Sequence, residues 1–369
     1  MWTSDALHGP DANWRHLGAL FTTSLDVLPS AHLRKEFTTS NFFGGIPGDP
    51  LDGRTRVITN GGAAEDGGST EYYIGTQEPG SKFVLGRGEH AVGMIDWGSF
   101  AAVDGSSRGL AGLRGTHSRG QSMCRTLGGD ANQVAVKGRR VMVCWMGGPG
   151  GVEPRHPGWP TQALQSLSRE ISLSSESELL QQFVPEYRAL RTTVLPAATA
   201  DESHVGTQLI SGTHLEIACT FSVLPGSNHS AAFGVSVFAA SDDGRRRTDL
   251  LVDLRRGYFT LDATAQGELS PRSGPVRGST ARIWMHAILD GNAIEAIFNN
   301  REPPRYRSRL GCILLKMPAI PFLTGTAIST PQVADLREGD SGVRLFGVGD
   351  GVNAKLEVWE LRQADESEF

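Results

Sequence analysis

Short apolar runs punctuated by turn residues dominate the chain, and a 3.6-residue helical period is scarce. In the first half, Val57-Ile58-Thr59, Tyr72-Tyr73-Ile74-Gly75-Thr76 and Arg140-Val141-Met142-Val143-Cys144-Trp145 read as strands. Gly/Ser-rich loops separate them, from Gly61 to Ser69 and from Asp104 to Gly120. The second half alternates more clearly. Leu215, Ile217 and Cys219 share one face of a strand from His214 to Val223, and Phe233, Val235 and Val237 do the same in the next. Leu250 to Leu254 and Tyr258 to Leu261 follow. Arg282 to Leu289 and Ala293 to Phe298 then flank Asp290-Gly291-Asn292, a hairpin signal because glycine accepts positive φ without steric cost. Val343 to Val348 and Lys355 to Leu361 close the chain. So many short strands predict an all-β protein ending in an antiparallel β-sandwich.

Ser174 to Arg191 breaks this pattern. Ser174-Ser175-Glu176-Ser177-Glu178 resembles a helix cap, Leu179-Leu180-Gln181-Gln182 could form one helical turn, and Pro185 ends a helix or restarts one. The stretch reads as a connector between two β-domains. The 46 glycines and 19 prolines make up about 18% of the 369 residues, against roughly 12% in average usage, and fit a turn-rich β-fold.

The net charge of −5 argues against a protein built around nucleic-acid affinity. The basic run Arg245-Arg246-Arg247 follows Asp242-Asp243-Gly244 and reads as a solvated turn. The cysteines (Cys124, Cys144, Cys219, Cys312) form no C-x-x-C pair and read as free thiols. The histidines show no zinc-ligand spacing, so neither a metal nor a cofactor is expected. No apolar stretch is long enough for a membrane span, and Met1-Trp2-Thr3-Ser4-Asp5 does not read as a secretory signal, which leaves the compartment open. The sequon Asn228-His229-Ser230 matters only in a secretory setting. Gly339-Asp340-Ser341-Gly342 matches a serine-protease string but has no His and Asp framework, and reads as a turn before a strand. Met146 to Gly151 is glycine-rich but lacks the Lys-Ser/Thr of a phosphate loop.

One set of motifs, in order and at conserved-looking spacing, resembles glycoside hydrolase family 32, the invertases and fructan hydrolases. Gly138-Arg139-Arg140-Val141 to Trp145 matches its G-R-R-I-x-x-x-W strand, and Gly158-Trp159 its G-W. Gln165-Ser166-Leu167-Ser168-Arg169 to Leu173 matches Q-S-x-P-R-x-x-x-L, and Leu179-Leu180-Gln181 to Arg191 matches L-L-Q-x-P-V-x-E-x-x-x-L-R. Tyr72 to Thr76, Asp96-Trp97-Gly98 and Ile294-Glu295-Ala296-Ile297-Phe298-Asn299 resemble Y-Y-x-I-G-T, D-Y-G and a sandwich hairpin. The resemblance implies the C-terminal part of a five-bladed β-propeller over residues 1–172, a connector at 173–191 and a β-sandwich over 192–369.

The same resemblance implies an impaired enzyme. The family's W-M-N-D-P-N-G and R-D-P motifs are not found, and Gly48-Asp49-Pro50 stands in another context. Its E-C-P-D-F-F acid/base motif falls on Thr38 to Phe43, which puts Thr38 at the glutamate. Retaining glycosidases need two carboxyl groups about 5–5.5 Å apart, and a threonine hydroxyl cannot protonate a leaving group near neutral pH. Glu36 would share a strand face with Thr38, roughly 7 Å away, and is a weak substitute candidate. For sugar binding the resemblance implies Asp66, Asp96 and Trp97; propeller packing is the other reading of Trp97. The expected partner is a sucrose- or fructan-type carbohydrate, with no nucleic acid and no membrane. Three readings of the chain stand: a family-32 hydrolase with impaired activity, a non-catalytic carbohydrate-binding or regulatory relative, and an interaction module whose sandwich makes homo-oligomer contacts.

Overall fold

A computed structural model describes residues 2–3, 15–16, 39–44, 46, 48–49, 51, 54–62, 69–78, 81–87, 91–98, 125–127, 140–143, 145–147, 163–174, 177–194, 205–225, 232–240, 245–266, 271–276, 280–299, 325–330, 337, 339–349 and 351–362. Among these the fold is all-β, with two 3₁₀ segments at Pro185–Leu190 and Thr264–Gln266. Strands β1 (Trp2–Thr3) and β2 (Arg15–His16) pair with each other.

Two larger antiparallel sheets precede the sandwich. The first runs β3 (Thr39–Gly44), β4 (Thr55–Gly62), β5 (Ser69–Thr76), with β6 (Val84–Leu85) and β7 (Val92–Asp96) sharing the far edge of β5. The second contains β8 (Arg125–Leu127), β9 (Arg140–Val143), β12 (Arg169–Leu173) and β13 (Leu179–Phe183) in the order β13-β12-β9-β8. Between them in sequence, β10 (Trp145–Gly147) pairs with β11 (Ala163–Gln165). The two sheets pack through Val57, Tyr72, Ile74 and Ile95 from one and Met142, Ile171, Leu173 and Leu179 from the other.

The expected helical turn at Leu179–Gln182 is a strand instead, buried at every position and paired residue for residue with β12. Its apolar and amide side chains gain more from that pairing than one isolated turn could, since helix nucleation is costly. Before it, Glu178 N–H donates to Ser174 Oγ (3.0 Å), and Ser177 takes a φ of 60°. The helical piece lies after Pro185, which stands at the start of the 3₁₀ segment.

The sandwich stacks two six-stranded sheets. One is β14 (Arg191–Val194), β25 (Val352–Leu361), β16 (His214–Val223), β21 (Arg282–Asp290), β22 (Ala293–Asn299), β23 (Gly325–Thr330). The other is β15 (Gln208–Ser211), β24 (Asp340–Phe346), β17 (Phe233–Ala240), β18 (Thr248–Asp253), β19 (Tyr258–Asp262), β20 (Arg272–Pro275). Odd-numbered residues of β16 and β21 point into the shared core, as their alternation predicts. Phe259 stacks on Phe298 at 4.7 Å, and Phe221 meets Phe233 at 5.0 Å, so aromatic pairs tie the sheets together. The Asp290/Ala293 pair closes a two-residue hairpin loop with Gly291 at φ 62°.

Gly339 lies in the left-handed region just before β24, so Gly339 to Gly342 is a turn entering a strand. Asp340 there is buried and pairs with Arg246 at 2.6 Å, and Arg247 pairs with Asp249 at 3.0 Å, so at least two of the three consecutive arginines are in ion pairs. Cys219 is buried in the core as a free thiol; the other cysteines and Asn228 lie outside the described residues. No helix among the described residues is long and apolar enough to cross a membrane.

Candidate functional site

The strand expected to carry the acid/base motif forms as β3, in register with β4 from Thr39↔Gly61 to Gly44↔Arg56. Thr38, Glu36 and Asp66 lie outside the described residues. The backbone beside them is described. Thr39↔Gly61, Gly62↔Ser69 and Thr70↔Asp96 all pair at one end of the first sheet. Asp96 is thus at the end where β3 begins, but three strands across, roughly 14 Å at about 4.8 Å per strand. Asp49, in the loop between β3 and β4, takes the N–H groups of Leu51 (2.8 Å) and Thr55 (3.0 Å) and serves as a turn residue.

Asp96 is fully buried, and both its oxygens have protein partners. Oδ2 sits 2.9 Å from Arg169 Nη1, and Oδ1 accepts the Gly98 N–H at 2.7 Å. Arg169 is the hub of a larger cluster. Its Nη1 also donates to Gln181 Oε1 (3.1 Å), and its Nη2 donates to Glu295 Oε2 (2.6 Å). Gln181 Nε2 reaches back to the Ile95 carbonyl (2.6 Å), and Glu295 Oε1 accepts the Leu167 N–H (2.5 Å). Burial, the largest influence on Glu295, holds its carboxyl above the ordinary carboxylate range although Arg169 pulls it down. Tyr187 stands beside the cluster. Its oxygen accepts the Ser168 N–H at 2.6 Å, and burial raises its hydroxyl.

Three sheets therefore meet at one guanidinium: β7 from the first, β12 and β13 from the second, β22 from the sandwich. Trp97 continues the seam. Its N–H donates to the Ala327 carbonyl on β23 (2.8 Å), and its side chain packs against the sandwich core. Gly274 on β20 makes room for it, since a Cβ there would stand 2.6 Å from the indole and 2.2 Å from Thr326 Cγ2. A second anchor lies where the connector joins the sandwich. Arg191 Nε and Nη2 donate to Glu216 (2.7 and 2.6 Å), His286 Nε2 lies 2.8 Å from the same carboxylate, and the Arg191 guanidinium covers the Trp359 ring at 3.7 Å. Burial raises Glu216, but Arg191 and His286 outweigh it and hold the carboxyl at about 2.

Arg169, Gln181 and Glu295 stand in the motifs that carry the family resemblance, yet sequence reasoning gave them no role. The available signal was a charged residue inside an apolar strand, as in Ile294-Glu295-Ala296, because such a charge is buried only when paired. Another buried carboxylate, Glu71 on β5, accepts the Tyr73 hydroxyl at 2.7 Å. No cluster of three or more metal-ligating side chains occurs among the described residues.

Residues 186–302 match the family model "Glycosyl hydrolases family 32 C terminal". No curated protein sequence matches the chain. Among solved structures, the exo-inulinase from Aspergillus awamori is similar at 15% identity and a TM-score of 0.60, over 89% of this chain and 57% of that one. The fructan 1-exohydrolase IIa from Cichorium intybus gives 14% and 0.58, over 89% and 62%. A structure from A. japonicus (CB05) gives 13% and 0.64, over 99% and 64%. The chain thus spans about three fifths of the length of these proteins. At such identities the likeness establishes the fold, and the family match falls on the connector and the sandwich. The chain is thus similar to glycosyl hydrolase family 32, with the family-model match confined to residues 186–302.

Proposed function

We propose that this protein is a carbohydrate-directed member of the family-32 lineage, recognising sucrose- or fructan-type sugars and hydrolysing them weakly or not at all. The observation that carries the sugar reading is the family match over residues 186–302, joined to a fold shared with an exo-inulinase and a fructan 1-exohydrolase. The loss of hydrolysis rests on Thr38 at the acid/base position that the resemblance assigns. An alcohol there supplies no proton to a departing sugar oxygen near neutral pH. Glu36 is the proposed fallback carboxylate and Asp66 the proposed sugar contact. For Asp96 and Trp97, the ion pair with Arg169 and the packing on the sandwich support a positioning role, holding the sheets against the sandwich.

A second reading, a wholly non-catalytic carbohydrate-binding or regulatory relative, is favoured by the same change inside an internal motif. Sugar release from sucrose and inulin by the purified chain tests both. Release indistinguishable from buffer is expected. Release above buffer that disappears in Glu36→Gln overturns the inactive reading and makes Glu36 the working acid.

A further inference from the structure

Among the described residues, the outer face of the sandwich sheet β14-β25-β16-β21-β22-β23 is covered over only part of its length. At one end, Glu216, His286 and Ile288 are overlaid by the connector and Phe183. Toward the other end the same strands open to solvent, where Ser222, Arg282, Asn353 and Lys355 are exposed.

The open end is a groove, and the sequence explains its shape. Outward positions of the central strand β16 carry short side chains: Ala218, Thr220 and Ser222. The strands on either side carry long ones. Arg282 and Trp284 stand on β21, and Asn353, Lys355 and Glu357 on β25. A low floor between two tall walls leaves a volume of about 320 Å³. This is the lower end of the range for small-ligand sites, about 300–1,000 Å³. One wall is aromatic and partly held in place: Trp284 packs against the seam cluster, while the Arg282 guanidinium lies 5.1 Å from its ring centroid. The other wall mixes charge, with Lys355 Nζ 3.1 Å from Glu357 Oε1.

We infer that this groove is a saccharide-binding site, separate from the strand that begins at Thr39, and that it takes a short neutral oligosaccharide. The lining selects that class. Two hydroxyls, a carboxamide, a carboxylate and two cations offer donors and acceptors in mixed array, which matches vicinal sugar hydroxyls. Lys355 is paired with Glu357 and the Arg282 guanidinium lies against the Trp284 ring, so both cations already have counterparts within the lining. Among the lining side chains only Trp284 and two alanines are apolar, too few for an apolar peptide. The indole supplies a face or edge for the C–H surface of a sugar ring. The inference goes beyond the proposed function, because binding here needs none of the residues assigned to hydrolysis.

The test is a titration of the full chain with sucrose, 1-kestose and maltotriose. It is read from indole N–H resonances, with Trp284→Phe identifying the Trp284 signal. A saturable shift of that signal by at least one sugar is expected. Ser222→Tyr, which fills the open end from an exposed position, should weaken the response about tenfold. Asn353→Ala, a surface truncation, should weaken it about threefold and decides the matter if Ser222→Tyr fails to fold. No shift with any of the three sugars, or a shift indifferent to the folded variants, overturns the inference. Hydrolysis is scored separately, so an active chain with an empty groove and an inactive chain with a filled one are distinct results.

Discussion

Replacing Glu295 by alanine removes one carboxylate from a cluster with almost no contact with water. Arg169 is fully buried, so losing its 2.6 Å partner removes one of its two carboxylate partners among the described residues and leaves Asp96 and Gln181. Breaking a buried ion pair from one side costs about 3–5 kcal/mol. The surviving Asp96 pair argues for the low end, about 3 kcal/mol. The Leu167 N–H also loses its acceptor, which adds about 1 kcal/mol. A loss of about 4 kcal/mol is a large part of the 5–15 kcal/mol that separates folded from unfolded chains. With a urea slope of about 3 kcal/mol/M, the midpoint falls by about 1.3 M. Circular dichroism and tryptophan fluorescence across a urea series read this directly. Because the cluster joins the sandwich to both preceding sheets, the variant should also separate the two probes, with the earlier sheets melting first. Glu295→Gln keeps an acceptor for Leu167 and should fall in between. A single transition within about 0.3 M of the unaltered chain would show that the cluster does not hold the seam.

The carboxyl of Glu216, held at about 2 against an ordinary 4.5, contributes stability above its unfolded value and loses it as pH falls from about 4.5 toward 2. Melting temperature should therefore fall more steeply over that window in the unaltered chain than in Glu216→Gln, and parallel curves would refute the assignment. Gly274→Ala pushes a methyl into Trp97 and Thr326 and should cost about 1–3 kcal/mol, measured by the same urea series; an unchanged midpoint would mean that Trp97 is not seated there. Burial raises the Cys219 thiol, so it should resist thiol reagents in the native chain and react once unfolded, as peptide mapping of the labelled protein would show.

Local chemistry made much of the sandwich readable from sequence. The β21–β22 hairpin was signalled by Gly291 between two apolar runs, and β16 by its alternation. Strand β13 was obscured because Leu-Leu-Gln-Gln after a seryl stretch satisfies helical preferences as well as strand ones. Its true state is decided by β12, a tertiary neighbour. Strand β17 shows a subtler failure: Phe233, Val235 and Val237 keep the expected alternation, but a register shift follows Ser236, and Phe238 turns inward with a φ of 50°. The candidate site divides the same way. Asp96 and Trp97 could be picked from a motif, but their partners Arg169 and Ala327 come from distant segments. The Arg169–Glu295 contact spans 126 residues, with no sequence period to announce it.

The junction around Arg169 also bears on how such a protein changes over generations. In the proposed reading, a change at Thr38 bears on the chemical step. A substitution at Asp96, Arg169, Gln181 or Glu295 strands a buried polar partner, lowers the folded fraction and exposes the chain to proteolysis. Selection for a folded product alone therefore maintains the junction, whether or not a sugar is ever cut. On the proposed reading, catalytic groups can be lost while this junction stays, because the junction records mechanical fitness rather than chemistry.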